Sequence, residues 1–444
     1  MWRALLACPI MFLGASIQTW SSSAMPKLVN NETSPFGRAL ETHEATWVVS
    51  SLTLGCAVGT WIASYLAITV GRKRTLLFSG ICSLIGNLLI AFGTTVETFY
   101  AARFILGFTV TSSMFLVPVY MGEVAGKSKG VFFIAFASTS VCSGLLYSNI
   151  VGPFVSISIM SLISALLSFV FCIIFAVFGK ETPNFYLKCK KPVLAETVLK
   201  ATNKDQQHVT EFLLEMQFVQ QADESINIFS LYSSKVFKKS LIIVNSLFLI
   251  QQLSGVDVLL FYGIKLFQDL DSNITPEVSV NILGLFHLLS SFLLIALGPK
   301  FGRKSLFTFS GLGIAFFQAC LAIFTYIKCI YPLPFALNIL PLFFLVSYII
   351  IYNTGFGPLP FLMLTEILPA KEKFGIISLT ATIYWLVVFA ITKNFFTVLE
   401  ILSFSGYFVF CSIVCFLGVI FLRFYLIETK GKTLGEIQHE LEQN

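Results

Sequence analysis

The stretch GRKRTLLF, at 71–78, has a counterpart in GRKSLFTF, at 302–309. Each copy begins the connection after the second long apolar segment of its half of the chain. An acidic and basic motif follows the fourth segment of each half, and an ET motif follows the sixth. Because three motifs recur in one order, the sequence predicts two parallel halves of six segments each. The further pairs are GEVAGKSKG with TEILPAKEKFG, at 122–130 and 365–375, and ETPNFYL with ETKGKTL, at 181–187 and 428–434.

The composition is that of a membrane protein. Of 444 residues, 56% are hydrophobic and 12% are charged, and the mean hydropathy is +0.84. A soluble domain is closer to a quarter charged. The net charge of +6 lies in short loops, which indicates membrane topology and not a nucleic-acid partner. The ten cysteines show no metal-type spacing, so no metal, cofactor or disulfide is expected.

A helix needs about 20 apolar residues to cross a bilayer, and the sequence offers twelve such segments. The predicted fold class is therefore an all-α polytopic membrane protein with two six-helix bundles. Parallel repeats of this kind are a transporter architecture, with the substrate held between the halves. The expected domains are an N-terminal bundle at 1–179, a cytoplasmic central loop with short helices at 180–239, a C-terminal bundle at 240–426 and a cytoplasmic tail at 427–444.

Lys and Arg concentrate on one predicted side of the membrane, which should be the cytoplasmic side. Both termini then lie inside, in a protein expected in the plasma membrane. Two sequons, at Asn31 and Asn273, fall on the outer side and are expected to carry glycans. The alternative, that the first segment is a cleaved signal peptide, would leave the repeat incomplete.

The acids and bases at the cytoplasmic ends are expected to pair and to hold that side closed. An exposed pair is worth only about 0.2–1 kcal/mol, which suits contacts that break and re-form. A single basic loop is explained as well by topology alone, but acids at matching places favour a gate. The predicted gate residues are Arg72, Arg74, Glu123, Lys129, Glu181, Arg303, Glu366, Lys373 and Glu428.

Five stretches together resemble the sugar porter family of the major facilitator superfamily, nearest to its animal facilitative branch of glucose and insect trehalose transporters. The resemblance covers almost the whole chain and implies two bundles that rock about a central sugar site. It also implies that the second half supplies most polar contacts. The stretches are PVYMGE at 118–123, ETPNFYL at 181–187, QQLSG at 251–255, GFGPLPFLMLTEILPA at 355–370 and ETKGKTLGEIQ at 428–438.

Through this resemblance, Gln251 and Gln252 match the paired sugar-binding glutamines of the family. An amide donates and accepts hydrogen bonds, as sugar hydroxyls do. The competing interpretation is that the two amides only join neighbouring helices. Asp257 and His287 stand where the family usually has asparagines. They are expected to lie close enough to interact, directly or through one water, and to make transport depend on pH; otherwise Asp257 only accepts sugar hydroxyls.

Aromatic rings are expected to cover the apolar faces of the sugar. Phe361 stands where the family commonly has tryptophan, and Trp385 matches a family Asn-Trp pair whose asparagine is here Tyr384. The run GFGPLP should interrupt its span, since broken helices line cavities in membrane proteins. The expected substrate-binding residues are Gln251, Gln252, Asp257, His287, Phe361 and Trp385.

The chain departs from the family pattern at several places. Ile68 and Pro299 replace acids that usually precede the two GRK motifs, and Asn184 replaces an arginine. Lys129 and Lys373 replace arginines and lose the bidentate fork. Ala137 replaces a sugar-binding glutamine. These changes leave the first half poor in sugar contacts and leave the substrate open.

Three functions remain possible from the sequence. A uniporter of a hexose or trehalose is favoured because the first segment lacks the acid typical of similar proton-coupled porters. Asp257 and His287 motivate a proton-linked sugar or polyol transporter, and the altered gate motifs motivate a non-transporting nutrient sensor. Sensors often have long cytoplasmic tails, and here about 18 residues follow the last segment. The sequence contains no phosphate-binding loop of the kind found in ATPases, and no enzymatic activity is expected. The expected partners are a sugar substrate and the lipid bilayer, with no obligate protein partner.

Overall fold

The structure is a computed structural model that describes residues 5–125, 130–189, 191–202, 235–270, 273–298, 300–331, 334–367, 373–432 and 434–443. Within these ranges the regular elements are helices. They form twelve spans in two groups of six, and the expected fold class is confirmed.

The first half contains six spans, of which the fourth is irregular. Span 4 consists of two α-helices joined by a π-helical turn, a form that is often found at functional sites. Two short helices, Pro183–Lys188 and Pro192–Thr202, follow span 6. The bounds are Cys8–Leu28 for span 1, Thr42–Thr69 for span 2, Arg72–Phe92 for span 3, Val96–Thr111 with Ser112–Leu116 and Val117–Ala125 for span 4, Gly130–Val151 for span 5 and Ile157–Phe178 for span 6.

The second half repeats this order with more interruptions. Spans 7 and 8 are each broken into two helices, span 10 consists of a short 3₁₀ helix and two α-helices, and spans 11 and 12 form one helical run with a sharp kink. The bounds are Lys235–Leu253 with Val256–Leu270 for span 7, Pro276–Ser290 with Leu293–Leu297 for span 8, Arg303–Ile330 for span 9, Phe335–Ile339, Leu340–Thr354 and Leu359–Ile367 for span 10, and Lys373–Tyr425 for spans 11 and 12, followed by a tail helix at Leu434–Gln443.

Length and hydropathy alone identify eight long apolar helices in the described residues. The last of them, Gly375–Tyr425, contains two spans because Ser403 adopts a positive φ of 58° and turns the chain. Span 1 has 21 residues and span 5 has 22, while span 8 is divided after Ser290. The eight long helices, the last of which contains two spans, together with spans 1, 5 and 8 make up the twelve spans.

The first N–H groups of a helix have no acceptor within that helix. At several spans, polar side chains accept hydrogen bonds from these groups. Thr95 and Ser156 accept from the main chain of spans 4 and 6. Glu41 and Glu44 form a capping box at span 2, and Arg38 holds Glu44 through two hydrogen bonds of 2.7 Å.

Apolar side chains cover the outer surface of the bundle, and hydroxyl and amide groups are buried inside it. Leu166 and Phe316 are exposed, whereas Ser83 and Ser168 bond each other inside at 2.8 Å. This arrangement suits a hydrocarbon environment, which satisfies no polar group.

The halves meet through three pairs of spans: 1 with 7, 2 with 11, and 5 with 8. The Ser22 hydroxyl accepts from the Ile264 N–H at 3.2 Å. The hydroxyls of Thr139 and Ser291 lie 3.2 Å apart. The candidate site lies between these pairs.

Candidate functional site

Span 7 breaks immediately after the paired amides. Gly255 adopts a φ of +88°, which is favourable only for glycine. A Cβ there would lie 3.3 Å from the Cys411 sulfur and 3.4 Å from the Tyr407 hydroxyl. Conformation and space both explain the glycine of the QQLSG motif.

Neighbouring spans satisfy the main chain at this break. The Ser254 carbonyl accepts from Gln318 Nε2 at 3.0 Å and from the Tyr348 hydroxyl at 3.3 Å. The break is therefore a fixed feature of the second half, and it holds Gln251 and Gln252 at the end of a helix.

Gln251 connects the break in span 7 to the break in span 10. Its Nε2 donates to the Tyr352 hydroxyl at 2.9 Å and to the Gly357 carbonyl at 3.0 Å. The Gly355 and Gly357 N–H groups both return to the Tyr352 carbonyl. The nitrogen of Gln251 therefore joins neighbouring helices, as the competing interpretation of the amides expects. Its Oε1 is buried and has no hydrogen-bond partner in the described residues.

Gln252 points to a different partner. Its Nε2 donates to the Asp257 carboxylate at 2.8 Å, and its buried Oε1 likewise has no hydrogen-bond partner among the described residues. The Tyr384 side chain is a neighbour of the same amide. Two buried acceptors, one from each glutamine, are therefore available to a ligand that donates hydrogen bonds.

Asp257 and His287 do not make the direct contact that their positions suggested. His287 lies edge-on to Tyr352, with ring centroids 6.4 Å apart, and its neighbour Asn353 donates to its main-chain carbonyl at 2.9 Å. No ion pair or hydrogen bond joins these two described residues. Gln252 instead bonds the carboxylate, and Tyr352 of span 10 lies beside the imidazole.

Aromatic rings from both halves meet beside Gln252. Phe361 lies 5.0 Å from Phe248, 5.6 Å from Phe115 and 6.5 Å from Tyr384, measured between centroids. Trp385 lies 4.8 Å from Tyr384. Phe115 belongs to the π-helical turn of span 4, and sequence reasoning missed it because a phenylalanine in an apolar run gives no signal.

Trp385 also joins the two halves through a hydrogen bond. Its Nε1 donates to Thr111 Oγ1 at 3.2 Å, and Thr111 lies 2.7 Å from the Thr60 hydroxyl. One cavity beside these residues, bounded by Ser64, Phe115 and others, has a volume of about 20 Å³. That is room for about one water, so the halves are closely packed here.

The first-half gate residues gather at the start of span 3. The Arg72 guanidinium contacts the Glu123 carboxylate at 3.1 Å. The Glu181 carboxylate accepts instead from main-chain N–H groups, those of Arg72 at 2.9 Å and Lys73 at 3.1 Å. Gly71 has a φ of +111°, and a Cβ there would collide with Glu181. Burial raises the pKa of Glu181, and these N–H groups and Arg72 oppose that shift.

The second half repeats the main contacts of this arrangement. Arg303 bonds the Glu366 carboxylate at 3.1 Å. Glu428 accepts from the N–H groups of Arg303 at 2.8 Å and Lys304 at 3.1 Å. A Cβ on Gly302 would collide with Glu428. The GRK motif therefore starts a helix in both halves, and the ET glutamate accepts from its first N–H groups.

These contacts differ from the expected gate in three respects. The ET glutamates contact main-chain groups and not arginine side chains. Among the described residues every ion pair stays within one half. Arg74 is exposed and makes no ion pair in the described part of the chain; Lys129 and the Lys373 side chain lie outside it.

Arg103 in span 4 was missed by sequence reasoning, although it is an arginine within an apolar span. It is 0% exposed. Its guanidinium donates to the Ile17 carbonyl at 2.8 Å, the Ser21 hydroxyl at 2.6 Å and the Val48 carbonyl at 3.3 Å. It also lies 4.8 Å from the centre of the Trp20 ring. No carboxylate pairs with it in the described residues, so neutral acceptors replace an acid.

Both sequon asparagines lie exposed at the end of the bundle opposite the GRK motifs. Asn31 accepts through Oδ1 from the Ala39 N–H at 2.6 Å. Asn273 instead donates through Nδ2 to the Phe335 carbonyl. A glycan would be attached to the side-chain Nδ2 of either asparagine. In Asn273 this nitrogen makes the hydrogen bond, whereas the bond of Asn31 uses its oxygen.

Similarity to known proteins decides the family. The family model for "Sugar (and other) transporter" matches residues 10–441. The chain belongs to the sugar transporter family. Members of this family are transporters, so the chain is not an enzyme, and it is a multi-pass membrane protein.

Relatives of this sugar transporter family member include facilitated trehalose transporters of insects. Tret1 of Bombyx mori is 29% identical over 405 residues, covering 90% of this chain and 79% of the relative. Tret1 of Drosophila yakuba is 29% identical over 449 residues, which is 99% of this chain. The chain spans about half the length of that relative, 52%.

Solved structures show the same fold. The proton:xylose symporter XylE bound to 6-bromo-6-deoxy-D-glucose matches with a TM-score of 0.84 at 21% identity, covering 99% of this chain and 98% of that one. The inward open conformation of XylE from E. coli matches with a TM-score of 0.76. The sugar transporter family member therefore has the major facilitator fold.

Proposed function

We propose that the protein is a uniporter of a sugar, such as a hexose or trehalose, that works by alternating access between its two bundles. The observation that carries this proposal is the pair of buried acceptors, Gln251 Oε1 and Gln252 Oε1, beside aromatic rings contributed by both halves. Sugar hydroxyls donate to such oxygens, and rings pack on sugar faces. Trehalose is included because the insect relatives are named for it.

Uniport is supported by the surroundings of Arg103. Span 1 contains no acid, and Arg103 contacts its Ile17 carbonyl and Ser21 hydroxyl. Proton coupling needs a group that gains and loses a proton during the cycle, and neither a carbonyl nor a hydroxyl does so near neutral pH. The contact between spans 1 and 4 therefore has no titratable acid.

The decisive experiment is uptake of labelled glucose and trehalose into proteoliposomes. We expect uptake down the sugar gradient, unchanged by an imposed proton gradient. The double variant Gln251→Ala with Gln252→Ala should lose uptake while it still inserts and folds. No uptake of either sugar by the wild type would refute the proposed activity, and acceleration by an inward proton gradient would refute uniport.

A proton-linked transporter is the second candidate, because Asp257 is a carboxylate buried in span 7. The test is uptake as a function of pH in the wild type and in the double variant Asp257→Asn with His287→Asn. A profile that flattens in the variant supports coupling. Matching profiles assign Asp257 a role in contacting the substrate only.

We further propose that the GRK-centred clusters act as the cytoplasmic gate and that both termini lie in the cytoplasm of a plasma-membrane protein. The symmetric contacts of Glu181 and Glu428 support the first part, and the positions of the sequons support the second. The proposed domain limits remain 1–179, 180–239, 240–426 and 427–444. The gate comprises Arg72, Arg74, Glu123, Lys129, Glu181, Arg303, Glu366, Lys373 and Glu428, and the substrate contacts are Gln251, Gln252, Asp257, His287, Phe361 and Trp385.

A further inference from the structure

Asp257 is a buried carboxylate without a cation. It is 3% exposed, and the side chain that bonds it is Gln252, at 2.8 Å. In the described part of the chain no lysine, arginine or histidine forms an ion pair with it. An isolated carboxylate in a low-dielectric interior is costly unless a positive group or several donors accompany it.

The two amide oxygens at the break in span 7 need donors as well. Gln251 Nε2 and Gln252 Nε2 are already engaged, whereas both Oε1 atoms are buried and have no hydrogen-bond partner in the described residues. With the Asp257 carboxyl ionised, the site offers one negative charge and two amide acceptors. A ligand that satisfies it must supply several donors and one positive charge.

The surrounding aromatic rings favour a cation in the same place. The Tyr352 hydroxyl accepts from Gln251 Nε2 at 2.9 Å, and Tyr384 is a neighbour of the Gln252 amide. Tyr384 lies 4.8 Å from Trp385 and 5.5 Å from Phe248 between ring centroids. Faces of aromatic rings attract ammonium groups, and cages of such rings bind them in other proteins.

We propose that the preferred substrate is a hydroxylated ammonium compound, an amino sugar, whose protonated amine is held by Asp257 and whose hydroxyls donate to Gln251 and Gln252. An ammonium group has three donors and no acceptor, which fits a site made of acceptors. This inference rests on the proposed sugar transport and specifies its substrate class. A neutral sugar would satisfy the amides but leave the carboxylate without a counter-charge.

The test measures equilibrium binding to the purified full-length protein in nanodiscs, at a pH where the amine is protonated. Two matched pairs of probes are glucose with glucosamine and trehalose with 2-amino-2-deoxytrehalose. A hydrogen bond to a charged group contributes enough for about 10- to 100-fold in affinity. We expect the amine of at least one pair to bind more tightly than its neutral parent by that factor.

Variants at one position separate charge from shape. Asp257→Asn should abolish the preference, so that the amine and the neutral sugar of each pair bind with equal affinity, and Asp257→Glu should keep the preference. The matched control is Asp269→Asn, because Asp269 lies in the same span but pairs with Lys265 at its exposed end. That variant should leave the preference unchanged.

Two results would overturn the inference and leave sugar transport standing. One is equal binding of amine and neutral sugar in both pairs, which would mean that the carboxylate acts in its protonated form. The other is a preference that persists in Asp257→Asn. Failure of all four probes to bind would contradict the proposed transport activity together with this inference.

Discussion

Gln251 and Gln252 are neighbours in sequence, yet they have different roles in the structure. Successive residues of a helix point about 100° apart. Gln251 therefore reaches the broken backbone of span 10, at the Gly357 carbonyl, whereas Gln252 reaches Asp257. The Gln251 amide stabilises the break in span 10, and the Gln252 amide bonds the Asp257 carboxyl group.

This difference predicts different outcomes for two matched substitutions. Gln252→Ala should weaken sugar binding by a few-fold to about tenfold, the value of about 0.5–1.5 kcal/mol for one hydrogen bond, and should lower the melting temperature less than Gln251→Ala, because the Asp257 carboxyl that loses its donor can take up a proton. Gln251→Ala should weaken binding and also lower the melting temperature, because it leaves the Gly357 carbonyl and Tyr352 hydroxyl without their donor. Binding and thermal unfolding of the purified variants measure both effects.

The control for this pair is Gln318→Ala. Gln318 is a buried amide that bonds the Ser254 carbonyl at 3.0 Å. If Gln252→Ala lowers the melting temperature as much as Gln318→Ala and leaves binding unchanged, the Gln252 amide is structural.

A second prediction at this scale concerns the glycans. We expect Asn31→Gln to remove most of the mobility shift produced by glycosidase, and Asn273→Gln to remove little. The Asn31 side chain bonds through its oxygen, whereas Asn273 uses its nitrogen, and Pro276 follows the second sequon. Gel mobility of the expressed variants measures this. Equal shifts for both variants would contradict the ranking, and a wild type without any shift would contradict the proposed topology.

At the scale of elements, an acid that follows one span caps the start of another. Glu181 follows span 6 and bonds the first N–H groups of span 3, and Glu428 follows span 12 and bonds those of span 9. A carboxylate at a helix N-terminus is favoured by the helix dipole. Three spans of each half are thereby joined at one end, since Glu123 and Glu366 add their own spans through arginine.

The two arginine pairs differ in burial, and this difference gives a prediction. Side-chain exposure is 5% and 12% for Arg72 and Glu123, but 9% and 24% for Arg303 and Glu366. Removal of one charge from a buried pair costs about 3–5 kcal/mol. Glu123→Gln should therefore lower the melting temperature more than Glu366→Gln, measured on purified protein in one detergent.

A double substitution checks the physical reason. Arg72→Gln with Glu123→Gln removes both charges of the pair, so it should be more stable than Glu123→Gln alone. A larger effect of Glu366→Gln, or a double variant less stable than the single one, would show that the ion pair does not dominate this junction.

At the scale of the whole molecule, the halves touch near both membrane surfaces. At the end with the GRK motifs, the Ser378 hydroxyl donates to the Ser64 hydroxyl at 2.6 Å. At the opposite end, Lys393 donates to the Thr46 hydroxyl at 3.1 Å and lies 4.5 Å from the centre of the Trp47 ring. Alternating access requires these two sets of contacts to open in turn.

The lysine contact gives a prediction about the balance of states. A cation–π contact is worth about 0.5–2 kcal/mol, so Lys393→Ala should shift the population toward the form open at that end by about two- to thirtyfold. Spin labels at Thr42 and Asn394, in a background without reactive cysteines, would report a longer distance.

The matched control is Lys328→Ala. Lys328 lies at the same end but bonds the Leu270 carbonyl within its own half, at 2.8 Å. An equal lengthening in both variants, or in neither, would argue against Lys393 as a closing contact.

The sequence by itself determined the membrane class, the repeat, the fold and the family. These follow from the number of apolar residues in each segment and from short motifs, which are local properties of the chain. The positions of Gln251, Gln252, Phe361 and Trp385 also came from motifs, although their roles remain proposals.

The tertiary structure alone decided which groups meet. The residues that Glu181 contacts, the lack of a direct contact between the described Asp257 and His287, and the contacts of Phe115 and Arg103 depend on how each helix is rotated and packed against its neighbours. Hydropathy determines that a segment lies in the bilayer. It does not determine which apolar face of the helix packs against protein, because lipid is about as apolar as those side chains. The rotation of each span is set instead by close packing and by polar groups that need partners, and those partners lie far away along the chain.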